Sequence, residues 1–171
     1  MDDAVKTAAL ALIDKERSRL EQVLGRLSAD DFGRPVFDAE WGTEPWTAKD
    51  LVGHLSGWKV QTLALAERQR SNHASPIPAD RMVYQELGID VEAFNRDEYL
   101  ARRALTVSQI VEEHRKVHDR LRVALGALAP DQLLGGPGVG ELRQWVTMAL
   151  LIHPRTHRLH LIDAFDLTAA R

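Results

Sequence analysis

Three histidines near the end of the chain share one helical face. His153, His157 and His160 are separated by four and three residues, and an α-helix completes a turn in about 3.6 residues. The same face carries Val146 and Ala149, so the imidazoles point toward the expected core. A buried imidazole without a partner costs on the order of 1–3 kcal/mol, whereas neutral imidazoles can share one cation. The pattern favours a metal site; core histidines satisfied by polar neighbours are the alternative.

A third ligand has to come from another helix, and His54 is the candidate. It lies two turns into the second predicted helix, on the flank of the apolar face that carries Trp58 and Leu65. The His-x-x-x-His spacing of His153 and His157 lets two imidazoles of one helix reach a single ion. Three histidine ligands leave a coordination position for water or substrate, which is typical of a reactive site rather than a structural one.

The other histidines leave alternatives open. His160 is either a hydrogen-bonding partner of a ligand or an alternative ligand. His114 and His118 form a second His-x-x-x-His motif, where we expect hydrogen-bonded histidines among charges, and His73 lies in a polar loop, where we expect it to be solvated. Pro154 removes one backbone hydrogen bond inside the fourth predicted helix, so this helix either kinks there or begins later.

Tryptophans mark the predicted approach to the site. Trp41 and Trp46 lie in a loop rich in helix-breaking residues, and loops that carry large aromatic residues often pack over a ligand pocket. We expect Trp41, Trp46 and Trp58 to form the pocket rim, although Trp58 also fits a plain core position. No acid–base pair stands out, because Asp50, one turn before His54, is expected to close a helix cap.

Four amphipathic helices are predicted to position these residues. Capping-box patterns begin the second at Thr47 and the third at Thr106. An excursion over residues 71–105 separates them, with a loop and then two short helical pieces around Gly88. No strand pattern is evident, so we expect an all-α, four-helix bundle with short extra helices between helices 2 and 3, in a single domain over residues 1–171. The expected spans are Asp3–Leu24, Thr47–Arg70, Thr106–Ala129 and Glu141–Asp166.

Composition limits the class of protein. The chain of 171 residues has no cysteine, which excludes disulfides and thiolate ligands, so a transition-metal site must use histidine or carboxylate. The formal net charge of −3 comes from interspersed charges, without the basic patch of a nucleic-acid-binding protein. The first apolar run is too short to cross a bilayer and no basic segment precedes it. We therefore expect a cytoplasmic protein that binds neither nucleic acid nor membrane.

Two motifs resemble signatures of the DinB/YfiT-like superfamily. The segment W-T-x-x-D-L-V-x-H-L-x-x-W, from Trp46 to Trp58, resembles the second-helix signature, and H-x-x-x-H-R, from His153 to Arg158, resembles the fourth-helix signature. The stretch at residues 84–99 is similar to the ClbS/DfsB branch and to mycothiol-dependent maleylpyruvate isomerase relatives. The resemblance covers nearly the whole chain.

The resemblance implies an up-down-down-up bundle made of two helix pairs, a homodimer, and a divalent nickel or zinc ion held by His54, His153 and His157. It also implies a small-molecule substrate and, as in characterised relatives, a low-molecular-weight thiol. We expect a metal-dependent transferase, isomerase or hydrolase. The alternatives are a non-catalytic stress or self-resistance protein that binds a reactive metabolite, and a structural bundle that binds metal adventitiously. The chain departs from the family pattern at Pro154 and at His160, where many members have glutamine.

Overall fold

The computed structural model describes residues 3–40, 42–71, 88–134 and 140–167. This part of the chain is mostly helical, as expected, with one small antiparallel sheet. A short 3-10 turn at Asp31–Gly33 precedes the sheet, and a π-helical segment at Thr147–Ile152 joins the last two helices. The helices and strands are α1 (Asp3–Leu24), β1 (Pro35–Ala39), β2 (Pro45–Thr47), α2 (Ala48–Arg70), α3 (Val91–Arg102), α4 (Val107–Gly126), α5 (Pro130–Leu134), α6 (Gly140–Val146) and α7 (His153–Ala164).

The starts of α2 and α4 confirm both predicted capping boxes. The Thr47 hydroxyl accepts a hydrogen bond from the Asp50 backbone N–H at 3.3 Å, and the Asp50 carboxylate accepts one from the Thr47 backbone N–H at 3.0 Å. Thr106 and Gln109 make the same reciprocal pair at the start of α4. These bonds satisfy backbone N–H groups that otherwise lack partners in the first turn, so they fix where α2, the helix of His54, begins.

Helix α2 is the central element, and most of its residues from Ala48 to Ala66 are buried. It packs against α3, α4 and the C-terminal helical run. Two glycines allow α3 to approach closely: a Cβ atom at Gly57 would lie 1.9 Å from the Glu98 Oε2 atom, and one at Gly53 would lie 3.1 Å from the Arg102 Cδ atom. Tyr99 of α3 is therefore held near the face of α2 that carries His54.

The sheet corrects the expectation that the chain has no strands. Phe37 pairs with Trp46 across β1 and β2, in an antiparallel register with irregularities on both sides. The predicted loop over these residues is therefore a hairpin. Strands of five and three residues are too short for a period-two pattern to be recognised, although aromatic and β-branched residues favour extended backbone. The hairpin places the Phe37 ring beside α7 and the Trp46 ring beside α2.

The C-terminal helical run accommodates Pro154 without ending. The backbone N–H of His153 donates to the carbonyl of Met148, five residues earlier, at the end of the π-helical segment. Pro154 then occupies the first turn of α7, the part of a helix in which proline is best tolerated. The kink or late start predicted from the sequence is thus replaced by a widened turn directly before His153, a device that often accompanies functional sites.

Two apolar clusters form the core. One surrounds Trp58 and Trp145 and includes Leu121, Leu125 and Leu142. The other consists of side chains from α1, α2, α4 and α7 and from the 3-10 turn: Leu20, Val23, Leu24, Phe32, Ala48, Leu51, Val52, Leu55, Ile110 and Leu161. Within the described ranges, none of the helices has the length and apolarity needed to cross a membrane.

Candidate metal centre

His54 and His153 bring their ring nitrogens into direct contact. His54 lies on α2 and is 5% exposed, while His153 begins α7. Their Nε2 atoms are 2.9 Å apart, and the ring planes are nearly perpendicular, at 88°. Ring nitrogens of two helices thus meet at one point, although the residues are 99 positions apart in sequence.

His157 completes a group of three. Its ring centroid lies 4.4 Å from that of His153 and 5.3 Å from that of His54. Each histidine offers one ring nitrogen, and these three atoms lie within 4.8 Å of one another. Within the described part of the chain, no carboxylate joins this group. The three predicted ligands therefore converge, and the donor set is made of imidazoles alone.

The environment keeps all three imidazoles neutral. Burial lowers the pKa of His54 well below its ordinary value, and repulsion from the charged forms of His153 and His157 lowers it further. Burial lowers the pKa of His153 to about 4. Burial, followed by the proximity of His153 and His160, lowers the pKa of His157 to about 2. Near neutral pH each ring therefore keeps a nitrogen lone pair, the form that binds metal.

Unpartnered nitrogen atoms indicate that a group is needed at this position. His54 Nδ1 and both ring nitrogens of His157 are buried and make no hydrogen bond within the described residues. Buried polar atoms in native proteins nearly always have partners. A cation bound by one nitrogen of each ring would satisfy the lone pairs that face each other. Three imidazoles suit zinc, nickel and related transition metals, so the residues present fit a divalent metal ion.

Aromatic rings enclose the three histidines. The Trp46 ring centroid lies 5.0 Å from that of His54, and the Trp58 centroid lies 6.4 Å from it. Phe37 approaches His157 edge-on at 5.8 Å. Trp46 and Trp58 are 3% and 8% exposed, so these two residues of the predicted rim are buried walls of the site.

Trp58 fits both of its predicted roles. Its indole Nε1–H donates to the Asn95 side-chain oxygen at 3.1 Å. Its ring also packs against Phe94 and Trp145, with centroid distances of 4.6 Å and 5.1 Å. Anchored on α3 and in the core, Trp58 presents a fixed face to His54. Trp41, the third predicted rim residue, lies outside the described residues, as does His73.

His160 adjoins the three histidines without belonging to the group. Its ring centroid is 5.5 Å from that of His157 and 4.7 Å from that of Phe37. Its Nδ1 atom is buried and has no hydrogen-bond partner among the described residues. His160 is therefore a ring neighbour of His157. Its contacts show neither of its two predicted roles, metal ligand or hydrogen-bonding partner of a ligand.

The second histidine pair lies apart from the group of three. His114 and His118 of α4 are both buried, at 2% and 3% exposure. His114 contacts Ser56 and Lys59 of α2, whereas both ring nitrogens of His118 have no hydrogen-bond partner among the residues that the structure describes. Sequence reasoning missed Lys59, which is 2% exposed. Lys59 lies four residues after the buried Leu55, so both side chains are on the same face of α2. This spacing could have indicated that Lys59 is buried.

An open cleft lies next to the aromatic wall. It has a volume of about 400 Å³, and its lining includes Tyr99, Thr47 and Thr106. The Tyr99 ring stacks on that of Trp46, with a centroid distance of 5.9 Å and an interplanar angle of 15°. Since Trp46 contacts His54, two successive ring contacts connect the cleft with the candidate metal centre.

Comparison with known proteins identifies the fold and not the function. No family model matches the chain, and no curated protein matches its sequence. The fold is similar to the crystal structure of an uncharacterised protein from Escherichia coli UTI89, with a TM-score of 0.72 over 92% of this chain and 91% of that one. The two sequences are 18% identical, so the likeness concerns the fold alone.

Proposed function

We propose that the protein is a metal-dependent enzyme that acts on a small molecule. The observation that carries this proposal is the convergence of three neutral imidazoles from α2 and α7, with one nitrogen of each within 4.8 Å of the others. A purely structural core would gain more from apolar side chains, because each unpartnered buried nitrogen is costly. Nickel or zinc is the proposed ion, since both accept imidazole ligands.

The proposal gives the side chains separate tasks. His54, His153 and His157 hold the ion, which when bound supplies Lewis acidity toward a substrate atom or a thiol in the open position. Trp46 and Trp58 cover the rings with apolar surface, which restricts water and strengthens electrostatic interactions inside the site. The orientation of His54 depends on α2, whose start is fixed by its capping box.

The walls of the site favour an uncharged substrate portion. In the described part of the chain, the rings in contact with the three histidines are those of Trp46, Trp58, Phe37 and His160. A charged group held against these rings, rather than bound to the ion, would lose its hydration without a countercharge. We propose that the substrate enters from the cleft beside Tyr99. A low-molecular-weight thiol is the proposed co-substrate, on the basis of the superfamily resemblance, for transferase, isomerase or hydrolase chemistry.

One observation favours a second candidate function, a non-catalytic protein that binds a reactive metabolite. Within the described residues, no carboxylate joins the three histidines, so none is in place to act as a general acid or base beside the ion. A binder needs only the ion and the apolar walls. Turnover of a panel of electrophiles with low-molecular-weight thiols separates the two functions: product formation supports the enzyme, and stoichiometric capture without turnover supports the binder.

The proposal is tested by metal content and by single substitutions. Untagged protein analysed by inductively coupled plasma mass spectrometry should contain about one divalent transition metal per chain. His54→Ala should lose that metal, because two ligands of one helix remain. His114→Gln is the matched control: it changes another buried histidine and should keep the metal. Metal that is retained by His54→Ala but lost by His114→Gln would refute the ligand assignment.

The wider assignment is also a proposal. We propose that the chain is a DinB/YfiT-like protein whose long helices α1, α2, α4 and the C-terminal run form the four-helix up-down-down-up bundle. The extensive packing of α2 on α4, and of α1 on α7, supports a bundle in which these helices are neighbours, and the two signature motifs support the family. We further propose that the protein is a cytoplasmic homodimer.

A further inference from the structure

A second polar cluster lies on the opposite side of α2 from the histidine site. Lys59 follows His54 by five residues, which corresponds to about 140° around a helix, and its side chain faces α4. The Lys59 Nζ atom lies 2.9 Å from the Nε2 atom of His114, and Lys59 is 2% exposed. Buried lysines without a carboxylate partner are rare, because desolvating an ammonium group is costly.

Hydrogen bonds fix the tautomer of His114. The Ser56 hydroxyl donates to the Val52 carbonyl at 2.9 Å, so its oxygen is left to accept from the Nδ1–H group of His114 at 3.2 Å. The Nε2 atom of His114 then carries a lone pair and accepts from Lys59. His114 is therefore a base that directly faces the Lys59 amine.

The cluster contains bases but no buried anion. In the described part of the chain no ion pair involves Lys59, and neither ring nitrogen of His118 has a partner. Burial lowers the pKa of Lys59 to about 7, with a further lowering by Arg17. The charged groups that face the cluster from α1 and α4 are Arg17, Glu21, Asp119 and Arg122, and Arg17 pairs with Glu21 and Asp119.

We propose that Lys59 is a carbamylation site, at which the side-chain amine takes up carbon dioxide and becomes a carbamate. The Nζ lone pair forms a bond to the carbon of CO2, one C=O π bond breaks, and its electron pair stays on oxygen. The N–H proton moves to the Nε2 atom of His114. Nothing is oxidised or reduced. An amine and an imidazole become a carbamate and an imidazolium, so the cluster gains its missing anion without a change in net charge.

Carbon dioxide fits this position better than larger carbonyl compounds. It has three heavy atoms and no charge, so it can reach a nearly inaccessible amine at little desolvation cost. An aldehyde would give an imine and release a water molecule into the buried cluster. Lys116, by contrast, is exposed and ion-paired with Glu112, and the same step there would break that ion pair. The site therefore selects Lys59 among the lysines.

Carbon-13 NMR of the full-length protein in 13C-bicarbonate tests the proposal. A protein-bound carbamate resonance should appear for the unmodified chain, remain in the control Lys116→Met and vanish in Lys59→Met. His114→Gln should lower its intensity several-fold at neutral pH, because the proton acceptor is lost. A resonance that persists in Lys59→Met and disappears on acetylation of the terminal amine would place the carbamate on the N-terminus and overturn the proposal.

A second measurement needs no variant and does not depend on variant folding. The unmodified protein in bicarbonate is treated with a trialkyloxonium salt, which converts a carbamate to a stable ester, and is then analysed by peptide mass spectrometry. The ester should be found on the peptide that contains Lys59. Bicarbonate-treated protein with unmodified Lys59 in that peptide would overturn the proposal.

Discussion

Neutral imidazoles are the chemical basis of the proposed metal site. The rings of His54, His153 and His157 contact one another. Protonating one ring would therefore bury a positive charge beside two imidazoles that cannot balance it. Burial therefore holds their pKa values low. Burial keeps the rings neutral and therefore able to bind a cation. Without a cation the same burial lowers the free energy of unfolding, by an amount that depends on pH.

We predict that metal-free protein loses stability as the pH falls from about 6.5 toward 4. An unfolded histidine is protonated below about 6.5, while His153 keeps its neutral form down to about 4, so the unfolded state binds more protons over this interval. Each such histidine lowers the free energy of unfolding by about 1.4 kcal/mol per pH unit. Chemical denaturation in EDTA at several pH values measures this slope.

The matched variant isolates the contribution of one ring. His153→Asn removes one titrating group, and its stability should fall less steeply over the same pH interval. Parallel slopes for the variant and the unmodified protein would show that His153 titrates normally in the folded state. They would contradict its buried, neutral description.

At the scale of elements, the sequence predicted the helices whose ends are marked by clear sequence signals. The bounds of α1 and α2 agree with the predicted spans, because helical periodicity and the capping box at Thr47 coincide. The hairpin was missed because its strands are too short for a pattern. The π-helical segment was missed because its signal, Pro154, is equally compatible with a kink. The convergence of His54 with the histidines of α7 could be predicted from their spacing and from the family resemblance. The Lys59 cluster could not be predicted, because it depends on how α2 packs against α4.

We predict that Pro154→Ala weakens metal binding while leaving stability unchanged or higher. The new backbone N–H can restore regular α-helical bonding, and loss of the widened turn before His153 would rotate His153 and His157 together relative to His54. Changes outside the ligands typically cost about 10–100-fold in metal affinity. Competition with a chelating dye measures the affinity, and thermal unfolding measures the stability.

Pro130→Ala provides the control for this substitution. Pro130 begins α5, where proline at the first helical position is favourable, and it lies outside the histidine site. This variant should keep full metal affinity. Equal affinities for both proline variants and the unmodified protein would contradict a positioning role for the π-helical segment.

At the scale of the whole molecule, exposed apolar side chains concentrate on two neighbouring elements. Of the exposed large hydrophobic residues in the described ranges, Val5 and Leu12 lie on α1, and Met148, Ile152 and Leu159 lie on the C-terminal run. These elements pack against each other. Exposed apolar side chains often mark an interface when they form a patch, so these two elements are where we expect the proposed homodimer to form.

We predict that Ile152→Glu together with Leu159→Glu converts the dimer into a monomer. Two buried, unpaired carboxylates would oppose association. Multi-angle light scattering after size-exclusion chromatography measures the mass. Val123→Glu is the matched control, because Val123 is 74% exposed on α4 and the variant should remain dimeric. A monomeric unmodified protein would contradict the homodimer.

The most direct test of the metal centre is anomalous diffraction from crystals of the untagged protein, recorded on both sides of the nickel and zinc absorption edges. We predict one strong anomalous peak within about 2.0–2.1 Å of one ring nitrogen each of His54, His153 and His157. Crystals of metal-replete protein with no peak there, or with the ion at His114 and His118 instead, would contradict this prediction.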